Sequence, residues 1–295
     1  MPAHLTADIA SRAAIPGMTR DWDFVASTIP GWRKRHIAKI MLSRSQRSPD
    51  WQEMHAVSAQ AAWTVYFMFA PDGRFDPAHG FTLARLRDAG HRVMVVCATR
   101  APADIPVEVE RYADALYWKG LAGYDFSAYS AALREIARKS PHATVMVIND
   151  SVYGPFADVR EALDSPPWDL TGFTATSEIE NHIQSYAFVL QDVTRRRMLS
   201  LASVMFPVLA LSQTDDVIQV QESRFARIAS HTMRVGSYWY ADGMQVVNPT
   251  LVRPIELVAA GFPFLKRSLT GKLQDRQNVA EIRELLFTLG HPVPA

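Results

Sequence analysis

The stretch Val145-Met146-Val147-Ile148-Asn149-Asp150-Ser151-Val152-Tyr153-Gly154-Pro155-Phe156 decides the fold class of this chain. Its first four residues are apolar and three of them are β-branched, which is typical of a short buried strand. Asn149, Asp150 and Ser151 then follow before a Gly-Pro stop. Ligands of open α/β sheets bind beyond the carboxyl ends of the strands, so we expect Asp150 to point into a binding site. The alternative is that Asn149 and Asp150 only cap the next helix.

The residues before this stretch alternate between strand and helix patterns. An apolar run at 63–70 predicts a strand that ends at the turn Pro71-Asp72-Gly73, a helical pattern covers 79–89, and a second apolar run covers 93–98. Strand, helix and strand in so short a segment form a right-handed βαβ unit with parallel strands. A strand at 115–118 and a helix at 127–140 lead to the strand at 145–148. The predicted fold class is α/β, with a mostly parallel central sheet flanked by helices.

Three segments are predicted along the chain. Residues 1–60 contain no convincing strand and are expected to form a helical N-terminal extension, residues 61–270 the main domain, and residues 271–295 a C-terminal helical tail. A basic amphipathic helix is predicted at 32–42 within the extension. Its basic face either rests on anionic lipid or is simply solvated.

Composition excludes several classes of function. The formal net charge is +1, and Arg195-Arg196-Arg197 is a short basic run typical of a solvated face, so we expect no nucleic-acid partner. The single cysteine, Cys97, lies inside an apolar run and is expected to be an inert thiol in a reducing compartment. No Gly-x-Gly-x-x-Gly follows the strand at 63–70, which disfavours a dinucleotide-binding oxidoreductase.

The chain is expected to be cytoplasmic. No apolar core of signal-peptide length follows Met1. The longest apolar run, at 198–211, is about 14 residues long and contains Pro207, whereas a spanning helix needs about 20 residues. We interpret this run as a buried helix followed by a bend.

Two further segments beyond Asp150 carry candidate site residues. Residues 182–190 alternate as a strand would, with His182, Gln184 and Tyr186 on one face, and these side chains suit recognition of hydroxyl groups; a purely structural His182 is an equally open interpretation. Glu222 follows an apolar run and opens a predicted helix at 223–230. Either it is stabilised there by the helix dipole, or it projects a carboxylate toward the strand ends.

Six short blocks of the chain occur together, namely Gly123-Tyr-Asp-Phe-Ser-Ala-Tyr, Val147-Ile-Asn-Asp-Ser-Val-Tyr-Gly-Pro-Phe, Asp169-Leu-Thr-Gly-Phe-Thr, His182-Ile-Gln-Ser-Tyr, Asn248-Pro-Thr and Gly261-Phe-Pro-Phe-Leu-Lys. Together these blocks resemble the rhamnan synthesis F family, a family of bacterial glycosyltransferases that build polysaccharides. The resemblance covers roughly residues 63–270. More distantly, the order of parts resembles the A-type fold of inverting glycosyltransferases. The family usually has an Asn two residues before the Gly of the first block, where this chain has Leu121.

The resemblance implies a role for each candidate residue in transferring a sugar from a nucleotide-sugar donor. A divalent cation, Mg²⁺ or Mn²⁺, would bind the diphosphate through Asp150, although Asn149-Asp150-Ser151 offers one carboxylate only. Glu222 would be the base, with Asp169 and His182 in reserve. The remaining residues fall into two groups. The nucleotide would lie near Asp72, Tyr124, Asp125, Asn149 and Ser151, and the sugar near Trp168, Gln184, Ser185 and Tyr186.

The acceptor implied by the resemblance is a bacterial surface glycan, either free or linked to a lipid at the inner face of the inner membrane, and the donor sugar is rhamnose or another deoxyhexose. An inverting reaction would use a single base in one displacement. The alternative function is a non-catalytic partner in a polysaccharide assembly complex that binds the nucleotide-sugar without turnover.

Overall fold

A computed structural model describes residues 14–243, 246, 248–272 and 279–292. The strands are β1 Met18–Asp23, β2 Gln46–Arg47, β3 Trp51–His55, β4 Ala62–Phe69, β5 Val93–Ala98, β6 Ala115–Lys119, β7 Ala143–Asn149, β8 Val152–Tyr153, β9 Leu170–Thr176, β10 His182–Ile183, β11 Ala187–Val193, β12 Leu209–Ala210, β13 Val235–Ala241 and β14 Leu265–Lys266. The helices are α1 Gly31–Arg44, α2 Pro77–Asp88, α3 Asp125–Lys139, α4 Arg160–Asp164, α5 Arg195–Ser200, α6 Thr214–Val217, α7 Ser223–Ala229, α8 Pro249–Val252, α9 Pro254–Ala259 and α10 Val279–Thr288.

One large sheet organises the molecule, with the strand order β1-β13-β9-β11-β7-β4-β5-β6-β3 and β10 paired to β9. Strands β13, β9, β7, β4, β5 and β6 run in one direction, whereas β1, β11 and β3 run against them. The fold is therefore α/β with a mostly parallel central sheet, as predicted. The alternation of β4, α2, β5, β6, α3 and β7 is confirmed in every element.

Helices cover both faces of this sheet. On one face, Leu133 and Ile136 of α3, Met198 of α5 and Phe225 of α7 pack in a buried apolar core. On the other face, a second core contains residues of α2, α4 and α9, among them Leu86, Leu163 and Leu257. Because both faces are covered, the central strands β4, β5 and β7 are predominantly apolar rather than alternating.

The first sixty residues contribute strands to the sheet, so the prediction that they contain none is wrong. β1 pairs antiparallel with β13, and β3 pairs antiparallel with β6 at the opposite edge. β3 is mostly exposed, and its sequence Trp51-Gln-Glu-Met-His lacks the apolar run that marks a buried strand. The predicted helix at 32–42 is confirmed as α1. The division into domains stays a prediction.

Two local predictions are corrected by the structure. The strand expected at 182–190 is interrupted, because His182 and Ile183 pair with β9 whereas β11 begins only at Ala187. Glu222 does not open a helix, since α6, a π-helical turn at Ile218–Glu222 and α7 follow one another without a break. Single π-helical turns of this kind occur often at functional sites.

A small two-stranded sheet brings the C-terminal part of the chain against the central stretch. β14 pairs antiparallel with β8, directly after Asp150 and Ser151. Gly154 makes this close approach possible, because its φ is +116° and a Cβ there would lie 2.4 Å from the Pro263 carbonyl oxygen. The pairing carries Lys266 and Arg267 to the end of β7.

Among the described residues, no helix is both long and apolar enough to cross a membrane.

Candidate functional site

Polar side chains from four parts of the chain gather at the carboxyl edge of the central sheet. Asn149, Asp150 and Ser151 follow β7, Asp125 begins α3, Glu222 ends the π-helical turn, and Lys266 lies on β14. We call these six residues the edge cluster. They lie where open α/β sheets bind their ligands, as the position of Asp150 in the sequence predicts.

Asn149 and Asp125 link β7 to the start of α3. Asn149 Nδ2 donates a hydrogen bond of 2.9 Å to Asp125 Oδ2, and Tyr129 Oη donates to the same oxygen at 3.3 Å. Burial and, to a smaller extent, the nearby charge of Glu222 raise the pKa of the Asp125 carboxyl to about 6. Asn149 Oδ1 accepts hydrogen bonds from the backbone N–H and the hydroxyl of Ser151. Asn149 therefore fixes the positions of both Asp125 and Ser151 in the cluster.

Asp150 links the carboxyl ends of β7 and β4 through a hydrogen bond. Its Oδ2 accepts a hydrogen bond of 2.8 Å from the backbone N–H of Phe69, the last residue of β4. Burial raises the pKa of this carboxyl to about 6, while the Phe69 hydrogen bond and the charge of Arg267 oppose the rise. The capping alternative is not observed, since the helix that follows, α4, begins only at Arg160.

Lys266 supplies positive charge to the edge cluster. Its Nζ lies 4.1 Å from the centroid of the Tyr186 ring and donates a 3.4 Å hydrogen bond to Ser151 Oγ. Burial lowers the pKa of this ammonium group to about 8, and the charges of Glu222 and Asp125 counteract the change. Its neighbour Arg267 forms an ion pair with Asp76 and acts electrostatically on Asp150. Two cations therefore flank the end of β7.

Glu222 is held at the entrance to β11. Ser185 Oγ donates a hydrogen bond of 2.9 Å to Glu222 Oε2, and the Ser185 backbone N–H lies 3.4 Å from Oε1. The prediction that this carboxylate projects toward the strand ends is consistent with its place, although the element that carries it is a π-helical turn.

Three cavities open along the carboxyl edge. The first, of about 590 Å³, contains Asp72 and Asp150 with Phe69, Phe75 and Arg267. The second, of about 580 Å³, contains Glu222, His182 and Gln184 and is walled by α1. The third, of about 560 Å³, lies beyond β5 and β6 and is lined by Arg100, Trp118 and Leu121. We refer to the first as the Asp150 cavity and to the second as the Glu222 cavity. Both volumes are in the range of small-molecule sites.

Two predicted site residues lie elsewhere. Asp169 precedes β9, at the amino edge of the parallel strands, where its Oδ2 accepts from the Arg234 backbone N–H at 2.8 Å. Trp168 is buried beside it and donates from Nε1 to Asp23 at 2.5 Å. The structure therefore does not bring Asp169 or Trp168 together with Asp150, which lies at the opposite edge.

The other predicted residues lie around the edge cluster. Tyr186 donates or accepts a 2.6 Å hydrogen bond with Thr174 and stacks beneath Lys266, while Gln184 accepts from Thr174 at 2.6 Å. His182 Nδ1 lies 2.6 Å from the Glu180 carbonyl, so one of its ring nitrogens has a structural partner while the residue still lines the Glu222 cavity. Tyr124 accepts from Thr214 at the surface.

The residues around Asp150 do not fit a preformed divalent-cation site. Within the described parts of the chain, no three His, Cys, Asp or Glu side chains are grouped so that they could hold a metal ion together. The oxygens of Asp125, the carboxylate on the other side of Asn149, accept from Phe126, Tyr129 and Asn149. The groups nearest to the end of β7 that carry positive charge are Lys266 and Arg267, which can face a diphosphate directly.

Comparison with known proteins gave structural matches only. No family model matches the sequence, and no curated protein matches it. A 4-diphosphocytidyl-2C-methyl-D-erythritol synthase of Anaerococcus prevotii is 11% identical with a TM-score of 0.37, covering 68% of this chain and 95% of that one. A putative nucleotide-diphospho-sugar transferase of Desulfovibrio desulfuricans is 9% identical with a TM-score of 0.37, covering 77% and 96%.

A third similar structure is the galactosyltransferase LgtC in complex with donor and acceptor sugar analogues. It is 12% identical with a TM-score of 0.37, covering 61% of this chain and 73% of that one. Since all of these TM-scores are below 0.5, we base the function of this chain on its own geometry. The resemblance to the rhamnan synthesis F family stays a prediction.

Lys266 and Arg267 were missed as site residues, because in the sequence Lys266 appears only as the last residue of the block Gly261-Phe-Pro-Phe-Leu-Lys and Arg267 follows it. The signal that could have found them is the Gly154-Pro155 segment directly after β8 together with the Phe262-Pro263 segment shortly before β14. Gly154 and Pro263 mark a close backbone contact, in which Phe156 donates to the Pro263 carbonyl at 2.8 Å. That contact aligns β14 with Ser151.

Proposed function

We propose that this protein is a glycosyltransferase that moves a sugar from a nucleotide-sugar donor to a hydroxyl group of a glycan. The observation that carries the proposal is the edge cluster together with the neighbouring Arg267, which brings two cations and three carboxylates to the carboxyl edge of an α/β sheet between two cavities. The cations suit a diphosphate leaving group, and a carboxylate beside the second cavity suits an attacking hydroxyl.

The donor is assigned to the Asp150 cavity. Phe69 and Phe75 offer apolar surface for a nucleobase, and Asp72 and Asp150 offer acceptors for the hydroxyls of a ribose or of the donor sugar. The diphosphate then lies against Lys266 and Arg267. Charged donors facing a phosphate form short and strong hydrogen bonds, and they stabilise the charge that develops on the leaving group.

The transfer itself is a single displacement in this proposal. The acceptor oxygen forms a bond to the anomeric carbon of the donor sugar while the bond from that carbon to the diphosphate oxygen breaks, and its electron pair stays with the diphosphate. Glu222 accepts the proton of the acceptor hydroxyl. One base and one displacement invert the configuration at the anomeric carbon. General base catalysis of this kind contributes on the order of 10²- to 10⁴-fold to the rate.

No step of this mechanism is routed through a divalent cation, because the described residues around Asp150 form no preformed cation site. In this proposal, Asp150 accepts hydrogen bonds from hydroxyl groups of the donor sugar or ribose, and the positive charge of Arg267 stabilises its carboxylate. Within the proposal, rhamnose or another deoxyhexose is the first donor sugar to test, on the strength of the resemblance of the sequence blocks.

The proposed acceptor is a growing bacterial surface polysaccharide, free or lipid-linked. Support for a lipid-linked acceptor comes from α1, where Trp32 is 60% and Leu42 is 90% exposed among the exposed basic residues Lys34, Arg35 and Lys39. Exposed apolar and basic side chains on one helix suit the surface of an anionic membrane. A place at the inner face of the inner membrane stays a prediction.

The experiment that tests the proposal measures release of nucleoside diphosphate from UDP-, GDP- and dTDP-sugars, dTDP-rhamnose included, with and without a lipid extract of the source cells. We expect one donor class to be consumed and its sugar to enter the extract. Asp150→Ala should lose this activity while its unfolding temperature shows an intact fold. Full activity in that variant would contradict the site. Binding of a donor without consumption would instead favour the non-catalytic nucleotide-sugar-binding partner, which the lone carboxylate after β7 also suits.

A further inference from the structure

The N-terminal segment, which the sequence leaves without a role, forms one wall of the Glu222 cavity. His36, Ile40 and Arg44 line this cavity from α1. They are spaced four residues apart, so they form a single stripe along the helix. The opposite wall contains Glu222 and Gln219 of the π-helical turn. The cavity is therefore a joint product of the N-terminal helix and the sheet edge.

Ion pairs to the buried carboxylates of Glu180 and Asp216 hold this wall in place. Arg33, near the start of α1, lies 3.0 Å from Glu180 and donates a 2.7 Å hydrogen bond to Ser223. Glu180 also pairs with Arg227 of α7. At the other end of the helix, Arg44 donates a 2.9 Å hydrogen bond to Asp216. Because Arg33, Glu180 and Asp216 are all buried, α1 is fixed at both ends rather than resting loosely on the surface.

The charge of the lining selects the kind of ligand. Four carboxylates face the cavity, and they outnumber the single arginine there. They belong to Glu178, Asp215, Asp216 and Glu222. One of them, Asp216, is 3% exposed, and its Oδ2 has no hydrogen-bond partner among the described residues. Carboxylates accept hydrogen bonds from hydroxyl groups, and amides and imidazoles both accept hydrogen bonds from them and donate to them. An excess of carboxylates repels an anionic ligand.

We propose that the Glu222 cavity binds the acceptor, that its ligand is a neutral sugar unit rather than an acidic one, and that His36 on α1 helps to determine acceptor specificity. This inference rests on the proposed function. It assigns the N-terminal helix to the binding site instead of to a separate extension, and it places the acceptor hydroxyl beside Glu222 on the side opposite to the Asp150 cavity.

The test fills the cavity from α1 and compares it with a matched control. In His36→Trp the indole occupies part of the cavity, whereas Lys39→Trp adds the same side chain to an exposed position of the same helix that does not line it. For each protein, acceptor-independent hydrolysis of the donor is measured first. Transfer to octyl glycosides of a neutral hexose, a neutral deoxyhexose and a hexuronic acid is measured next.

We expect His36→Trp to raise the KM for a neutral octyl glycoside at least tenfold while donor hydrolysis stays within twofold of wild type. Lys39→Trp should match wild type in both, and the hexuronide should be the poorest acceptor. Two results would overturn the acceptor assignment while leaving the proposed function intact. One is equal transfer by His36→Trp and Lys39→Trp, and the other is loss of donor hydrolysis in a His36→Trp protein that is folded. Preference for the hexuronide would overturn the neutral-sugar assignment. Failure of the wild-type protein to bind or hydrolyse any donor would overturn the proposed function and this inference with it.

Discussion

Lys266 Nζ lies 4.1 Å from the centroid of the Tyr186 ring and within hydrogen-bond distance of Ser151. This relationship joins three parts of the chain that are far apart in sequence, namely the central stretch, the start of β11 and the C-terminal strand β14. It also places a cation at the end of β7, where the sequence offers one carboxylate and where a donor diphosphate would need positive charge.

Donor binding should depend on pH through Lys266. Burial lowers the pKa of this group to about 8, so the ammonium is present at pH 7 and is lost as the pH rises through about 8. We expect the Kd of the bound nucleoside diphosphate to rise between pH 7 and pH 9, by up to about tenfold for each unit above the pKa. Titration calorimetry measures this.

Lys266→Arg is the control for this pH dependence, because a guanidinium keeps its charge over the same range. Its affinity should stay level between pH 7 and pH 9. A wild-type affinity that is equally level would show that Lys266 does not face the diphosphate.

Glu222→Gln should separate donor binding from transfer. The amide keeps the size of the side chain and can still accept from Ser185, but it cannot take up a proton from the acceptor. We expect donor affinity to stay within twofold and kcat for transfer to fall about 10²- to 10⁴-fold. Steady-state kinetics with a saturating donor measures the loss, and transfer at the wild-type rate would move the base to another residue.

Asp150→Asn should stabilise the folded protein at neutral pH. The folded-state pKa of about 6 lies above the usual value of 3.8, so ionisation of the carboxyl disfavours folding as the pH rises through this interval. The full shift corresponds to about 3 kcal/mol, and we expect ~1–2 kcal/mol because the side chain is partly exposed. Thermal unfolding should show a gain at pH 7 that shrinks toward pH 4.

The matched control is Asp72→Asn, which lines the same cavity but has a side chain that is 55% exposed. Its unfolding temperature should not change. If Asp150→Asn changes the unfolding temperature at pH 7 no more than this control does, then the Asp150 carboxylate does not destabilise the folded protein.

Arg33→Ala should destabilise the protein, because it leaves the buried carboxylate of Glu180 with Arg227 alone. Removing one partner of a buried ion pair typically costs about 3–5 kcal/mol, and the remaining arginine should reduce this to roughly 2–3 kcal/mol. Urea unfolding measures the difference. Lys34→Ala, on the exposed side of the same helix, should stay within about 0.5 kcal/mol of wild type.

The parts of the fold that can be predicted from the sequence are those that produce a local pattern of apolar residues. Strands β4, β5, β6 and β7 are continuous apolar runs, and their alternation with helices implies parallel pairing. The edge strands β1 and β3 are exposed on much of their surface, so their residues carry no such signal. Their pairing depends on partners that are far away in the sequence.

The candidate site divides in the same way. Asn149, Asp150 and Ser151 are recognisable because polar residues directly follow a buried strand. Asp169 and Trp168 lie in an equally distinctive block, yet that block begins a strand instead of ending one, and so it lies at the opposite edge. Lys266 is visible only when β8 and β14 pair, which no local pattern reveals.

Donor binding by the edge cluster is tested by a calorimetric titration of UDP, GDP and dTDP into wild-type protein and into Lys266→Met, each in EDTA and in excess Mg²⁺ or Mn²⁺. We expect one nucleoside diphosphate to bind equally well, within about twofold, in EDTA and in metal, and we expect Lys266→Met to weaken its binding at least tenfold under both conditions. Binding that requires the cation and is unchanged in Lys266→Met would contradict the claim that the edge cluster holds the donor through its own lysine.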